Sequence, residues 1–148
     1  RYANSSHHRS LLLLVGNGGD EILAGPLVRR LGNLSPQELK NVYSATDLVV
    51  SASKVESFGL TLSEGAALGV PRLATSGHAA SEGIVDGDNG FIISDYSKLS
   101  EKLSAVFSLN SDELKSIGAK GRDKVHKESH PKFVANSYYK IYEELLRG

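Results

Sequence analysis

The sequence predicts an α/β fold, a doubly wound parallel sheet followed by C-terminal helices. Short apolar segments alternate with helical patterns along most of the chain, which is typical of strands joined by right-handed crossovers. The first segment, 11–15 (LLLLV), is continuously apolar, as expected for a strand buried on both faces. Glycine-bearing turns follow 11–15 and 47–52 (DLVVSA), so both turns are predicted at the carboxyl edge of the sheet, where such folds bind ligands.

The next elements depend on local signals. Range 28–31 is predicted to be a second short strand. Ser35, Pro36 and Glu38 together predict a helix start, because they supply a cap, a proline at the first helical position and a capping-box glutamate. The apolar stripe of that helix consists of Leu39, Val42 and Tyr43.

The middle of the chain continues the alternation. Range 72–75 is predicted as a strand, and 77–81 as a loop leading into a helical turn near Glu82. The Gly-Asp-Asn-Gly sequence at 87–90 is a strong turn signal before a strand at 91–93.

Three helices are predicted to close the chain. Apolar residues at helical spacing mark the first (Leu99, Leu103, Val106, Phe107) and the second (Leu114, Ile117, Val125). We expect Gly118 and Gly121 to interrupt the second helix, because glycine weakens helix interiors. The third begins at Pro131, and its apolar positions are Phe133, Val134, Tyr138, Ile141, Tyr142 and Leu145.

Composition excludes several classes of function. The 148 residues suit one domain, with 1–10 predicted as a disordered end and 11–148 as the folded unit. A formal net charge of zero gives no field that would attract nucleic acid or an anionic membrane. The chain has no cysteine, which favours a cytoplasmic protein, and the apolar run 11–15 is too short to span a membrane. Because methionine is absent and Arg1 comes first, we expect a piece of a longer polypeptide.

Two acids around a glycine turn carry the candidate chemistry, in the segment 55–71 (VESFGLTLSEGAALGVP). Gly59 argues against one uninterrupted helix through both acids. Glu56 is therefore predicted on the loop, and Glu64 about one turn inside a helix that begins near Leu60.

The unpaired amides at the start of that helix would form an anion site suited to a diphosphate. Glu64 would offer two acceptor oxygens to the paired hydroxyls of a ribose, and Glu56 would accept hydrogen bonds from another hydroxylated group. Spacing alone leaves an alternative open, in which both acids are ordinary surface carboxylates and Gly59 is only a turn.

The sequence ESFGLTLSEGAALGVP, preceded by YSATDLVVSAS and followed by EGIVDGDNGF, resembles the C-terminal domain of the retaining glycosyltransferases of GT-B fold, family 4. That family carries a Glu-x7-Glu motif, a small-residue helix and Gly-x-Pro. The resemblance covers 11–148 and implies a Rossmann-like domain, one half of the GT-B fold, that binds a nucleotide-diphosphate sugar.

The resemblance also implies residue roles. Glu56 would be the catalytic residue, lying beside the transferred sugar and helping to orient it. Glu64 would bind the ribose, while backbone amides of 58–61 would hold the phosphates. The donor-binding residues implied in full are Gly16, Asn33, Leu34, Ser57, Phe58, Gly59, Leu60, Thr61 and Glu64. No cofactor or metal is implied, because the nucleotide sugar is the substrate.

Two departures from the family limit these expectations. The Arg and Lys that usually neutralise the donor phosphates have no matching segment before 11–15, and Arg29, Arg30 and Lys54 are the possible substitutes. The acceptor-binding N-terminal domain is also missing, so we expect the isolated fragment to be inactive. The final helix would reach toward that domain, but we expect Tyr138, Tyr139 and Tyr142 to pack in the core.

The resemblance implies a cytoplasmic hexosyltransferase of cell-surface polysaccharide or glycolipid synthesis. Any contact with the inner membrane face is expected through other parts of the parent protein. Alternative functions are a GT-B sugar-nucleotide epimerase, a non-catalytic nucleotide-sugar sensor and a flavodoxin-like signalling domain. A dehydrogenase is disfavoured, because the turn at Gly16 and Gly18 lacks the third glycine of a dinucleotide fingerprint, where Glu21 stands.

Overall fold

The computed structural model describes residues 10–17 and 25–148. The predictions for 1–9, and for Gly18 and Glu21 in the first turn, lie outside the described residues. The elements, in chain order, are β1 (Leu12–Val15), β2 (Val28–Gly32), α1 (Pro36–Ser44), β3 (Val49–Ser51), α2 (Leu60–Ala67), β4 (Arg72–Thr75), β5 (Phe91–Ile93), α3 (Leu99–Ser108), α4 (Ser111–Glu128) and α5 (Pro131–Arg147), with short 3-10 helices at Ala79–Ser81 and Tyr96–Lys98.

All pairings among the described strands are parallel, which confirms the predicted α/β fold class. The hydrogen bonds divide the described strands into two ladders, β1-β2 and β3-β4-β5. The expectation that the first strand is buried on both faces is wrong for the described residues. Leu12 and Val15 are 42% and 45% exposed, and the two residues between them are only partly buried, so neither face of β1 is fully covered by the described residues.

Two hydrophobic clusters lie on opposite faces of the three-stranded sheet. On the central strand β4, Leu73 joins the cluster under α3 and α4, whereas its neighbour Ala74 joins the cluster under α1 and α2. Successive side chains of a strand point to opposite faces, so helices cover both sides of this sheet. Leu62 of α2 and Val106 of α3 are each 1% exposed and anchor the two sides.

Helix α4 is continuous, so the predicted interruption at Gly118 and Gly121 is wrong. Both glycines serve close packing. A Cβ on Gly118 would overlap the carbonyl oxygen of Gly69, and a Cβ on Gly121 would lie 2.8 Å from the carbonyl oxygen of Asn89. Glycine at these positions lets α4 press against the turns that follow α2 and precede β5.

The prediction that the tyrosines of α5 pack in the core is also wrong. Tyr138, Tyr139 and Tyr142 are 57%, 63% and 60% exposed, and no residue of α5 is buried. The helix has an apolar stripe, but the described residues do not cover it. None of the described helices combines the length and hydropathy that a membrane span requires.

Candidate functional site

Helix α2 begins where the sequence predicts, and Gly59 is the reason it can begin there. Gly59 caps the helix in a left-handed conformation with φ +73°. Gly59 is also buried. A Cβ at this position would lie 2.5 Å from the Cβ of Ala80, in the 3-10 helix that packs on the turn. Only glycine satisfies both the backbone angle and the space available.

The turn presents unpaired donors at the carboxyl end of β3. The first hydrogen bonds of α2 run from the amides of Leu62 and Ser63 to the carbonyl of Gly59. In the described part of the chain, no group accepts a hydrogen bond from the amides of the three preceding residues, Gly59, Leu60 and Thr61. These amides and the positive end of the helix dipole favour an anion, although the helix has only eight residues.

The two acids flank this turn as predicted. Glu56 lies on the loop, and its Cγ would be 3.6 Å from a Cβ built on Gly59, so its side chain lies beside the turn. Glu64 lies in α2 with its side chain exposed. Ser57 and Phe58 complete the loop, and Phe58 is 63% exposed.

The structure adds Tyr43, which the sequence analysis assigned only to the apolar stripe of α1. Its ring is buried, and its hydroxyl donates to Glu64 Oε2 at 3.0 Å, with the carbonyl oxygen of Thr61 at 3.3 Å. Burial, and then the bond to the Glu64 carboxylate, raise the pKa of Tyr43 well above its ordinary value. The signal for this residue was a tyrosine on a buried helix face, since a buried hydroxyl needs a partner.

A second polar connection ties the loops after β3 and β4. The Thr75 hydroxyl donates to the carbonyl oxygen of Ser53 at 2.6 Å, and His78 Nε2 lies 2.7 Å from the same hydroxyl oxygen. Because the single hydroxyl proton goes to Ser53, Nε2 is the donor in its contact with Thr75. His78 Nδ1 is buried and has no partner among the described residues.

The remaining residues predicted to bind the nucleotide sugar follow the strands of the β1-β2 ladder. Gly16 has φ +105°, and its amide donates to the carbonyl of Gly32 at 2.8 Å, so the carboxyl ends of β1 and β2 meet there. Asn33 and Leu34 follow β2 directly. No hydrogen bond among the described residues joins these positions to the loop of Glu56.

The three candidate cations are all exposed residues. Lys54 is exposed two residues before Glu56, and no ion pair within the described residues engages it. Arg29 and Arg30 lie on β2 with exposed side chains. Within 10–17 and 25–148, no cluster of three or more His, Asp or Glu is placed to hold a metal ion.

A large cavity of about 930 Å³ lies elsewhere, between α3 and α4. Apolar side chains, including Phe91 and Ile117, line its floor. The ammonium groups of Lys102 and Lys120 at its rim are paired with Asp86 and Asp88 at 2.7 and 2.6 Å. It contains no predicted site residue, and its two lysines are already paired, so the glycine turn remains the better candidate for chemistry.

Comparison with known proteins identifies the family of the chain. The family described as Glycosyl transferases group 1 has a sequence model that matches residues 6–124. The chain is 30% identical over 146 residues to the N-acetyl-alpha-D-glucosaminyl L-malate synthase of Bacillus anthracis, which covers 92% of this chain and 38% of the synthase. The chain thus spans less than half the length of the curated relatives it matches.

Two solved structures are similar to the chain. The C-terminal domain of a glycosyl transferase group 1 family protein from Francisella tularensis is 29% identical, with a TM-score of 0.59 over 70% of this chain and 54% of that one. Anabaena Alr3699/HepE, crystallised with UDP and glucose, is 19% identical, with a TM-score of 0.72 over 95% of this chain and 41% of that one. At that identity the second likeness shows the fold.

Proposed function

The chain belongs to the group 1 glycosyl transferases, and we propose that it is the donor-binding domain of a retaining enzyme that transfers a hexose from a nucleotide-diphosphate sugar to an acceptor hydroxyl. The observation that carries the proposal is the turn before α2, where three unpaired amides lie between two acids at the carboxyl end of a parallel strand. The solved relative with bound UDP and glucose is consistent with it.

Each part of the turn has a distinct proposed task. The amides of Gly59, Leu60 and Thr61 bind the diphosphate, and the Glu64 carboxylate accepts hydrogen bonds from the ribose hydroxyls. Glu56 lies nearer the transferred sugar and orients it. This order explains why two acids flank an anion site, since each carboxylate meets hydroxyl groups and the phosphates meet the amides.

The proposed chemistry depends on stabilising the leaving group. The nucleoside diphosphate departs from the anomeric carbon, and the acceptor hydroxyl attacks with retained configuration. Negative charge accumulates on the departing phosphate, so fixed amide donors stabilise the transition state more than the ground state. Lys54 is the described cation nearest in sequence to the turn and would supply part of the neutralising charge. We propose that the acceptor is held by a further domain of the parent protein.

Alanine substitution of the two acids separates their roles. Glu64→Ala is expected to weaken binding of a nucleoside diphosphate about tenfold or more, because it removes hydrogen bonds to a charged acceptor that are worth about 1.5–3 kcal/mol each. Glu56→Ala is expected to change that affinity less than about threefold, and mainly to reduce discrimination among sugar nucleotides. Calorimetric titration of UDP, GDP, ADP and dTDP into the full-length protein measures the affinities for nucleoside diphosphates, and titration of the corresponding sugar nucleotides measures the discrimination among sugars.

Glu101→Ala is the control, since Glu101 is an exposed carboxylate of α3. Equal losses for Glu56→Ala and Glu64→Ala would contradict the proposed order of ligand groups along the turn. Transfer of sugar by the full-length protein would establish an enzyme. Donor binding without transfer, hydrolysis or epimerisation would instead indicate a sensor.

A further inference from the structure

The hydroxyl of Tyr43 has one proton and two acceptors within reach. Glu64 Oε2 is nearer, at 3.0 Å against 3.3 Å for the Thr61 carbonyl, and it carries charge, so it is the stronger acceptor. A tyrosine hydroxyl is protonated at physiological pH, and burial raises the pKa of Tyr43 further. Tyr43 is therefore a permanent donor to one oxygen of Glu64.

The side chain of Tyr43 is rigidly held. The ring of Tyr43 is 7% exposed and packs in the cluster with Val49 and Leu62. A Cβ on Gly65, one turn along α2, would lie 3.5 Å from Tyr43 Cδ1 and 2.6 Å from Val49 Cγ2, so α2 approaches the ring closely. The hydroxyl position is thereby fixed relative to the backbone of α2.

The Glu64 side chain, by contrast, is long and exposed and would be free to rotate without the bond from Tyr43. A glutamate loses rotamer entropy when a ligand immobilises it. The bond from Tyr43 holds Oε2, while Oε1 has no hydrogen-bond partner among the described residues. The carboxylate is thus oriented before any ligand arrives, with acceptor capacity left for two hydroxyls.

We propose that Tyr43 is a positioning residue, which holds the Glu64 carboxylate in the orientation that recognises the paired hydroxyls of a ribose. The inference rests on the proposed function, since it requires Glu64 to bind the ribose. It adds that selection of ribonucleotides over deoxyribonucleotides depends on a side chain that never touches the ligand. A purely structural role, in which Tyr43 only joins α1 to α2, predicts equal losses of affinity for ribonucleotides and dideoxynucleotides.

Tyr43→Phe removes the hydroxyl and keeps the ring. Affinity is measured on the full-length protein for UDP, GDP and ADP and for their 2′,3′-dideoxy counterparts. For the base that binds best, we expect the variant to lose about fivefold in affinity for the ribonucleotide and to bind the dideoxynucleotide as the unmodified protein does. Tyr96→Phe, at an exposed tyrosine, is the matched control and should change neither affinity.

A double-mutant cycle checks the route of the effect. If Tyr43 acts through Glu64, adding Tyr43→Phe to Glu64→Ala should cause no further loss for the ribonucleotide. Equal losses for both classes of nucleotide, or no loss for either, would overturn the role of Tyr43. If Glu64→Ala weakens the ribonucleotide while Tyr43→Phe does not, the proposed function stands and this inference fails. If Glu64→Ala weakens neither nucleotide, the ribose site and this inference both fail.

Discussion

Replacing Gly118 by alanine is expected to destabilise the folded protein by about 3 kcal/mol or more. In an exposed helix interior the same change would stabilise by about 1 kcal/mol, because alanine has the higher helix propensity. Here the new methyl would overlap the carbonyl oxygen of Gly69 and lie 3.0 Å from its carbonyl carbon and 3.1 Å from Pro71 Cδ. Helix α4 would have to move away from the end of α2. Denaturant unfolding measures the change.

Ser116→Ala provides the control for helix propensity, because Ser116 is exposed on the same helix. It should change the free energy of unfolding by less than about 0.5 kcal/mol. A stabilised Gly118→Ala variant would mean that α4 does not approach the Gly69 turn as described.

Gly59→Ala is expected to damage both stability and ligand binding. The left-handed backbone at φ +73° costs a non-glycine residue about 1–2 kcal/mol, and the 2.5 Å contact with Ala80 Cβ adds overpacking of about 1–3 kcal/mol. Relief of that contact moves the amides that are proposed to bind phosphate. We expect an unfolding free energy lower by about 3 kcal/mol and nucleoside diphosphate binding weaker by at least about tenfold.

Gly87→Ala separates backbone strain from crowding. Gly87 has φ +77°, but a Cβ there would meet nothing within 4 Å, so only the backbone cost of about 1–2 kcal/mol applies. Nucleotide affinity should be unchanged in this variant. If Gly59→Ala and Gly87→Ala lower the free energy of unfolding equally, then the packing of Ala80 on the glycine turn does not contribute to stability.

Features set by neighbouring residues were predictable. The capping box of α1 needs only Ser35 and Glu38, which exchange hydrogen bonds three residues apart, and it forms as expected. The start of α2 after Gly59 follows from local backbone preference, and β4 and β5 occupy the predicted residues. The placement of both acids around the amides could therefore be predicted from the local sequence.

Features set by distant segments were not predictable. Gly118 signals a break when only its own helix is considered, whereas its contact lies 49 positions away at Gly69. Tyr43 and Glu64 are 21 positions apart, and nothing local pairs them. The α5 tyrosines have helical periodicity, but periodicity alone does not say whether another element covers that face.

Backbone amide shifts during titration with nucleoside diphosphates test the central claim most directly. We predict that UDP, GDP or ADP shifts the amide resonances of Gly59 to Glu64 more than any others, because the phosphates bind the free amides at the start of α2. The result that would contradict the account is a set of largest shifts that avoids this segment, for example one centred on Phe91 and Ile117 in the cavity between α3 and α4.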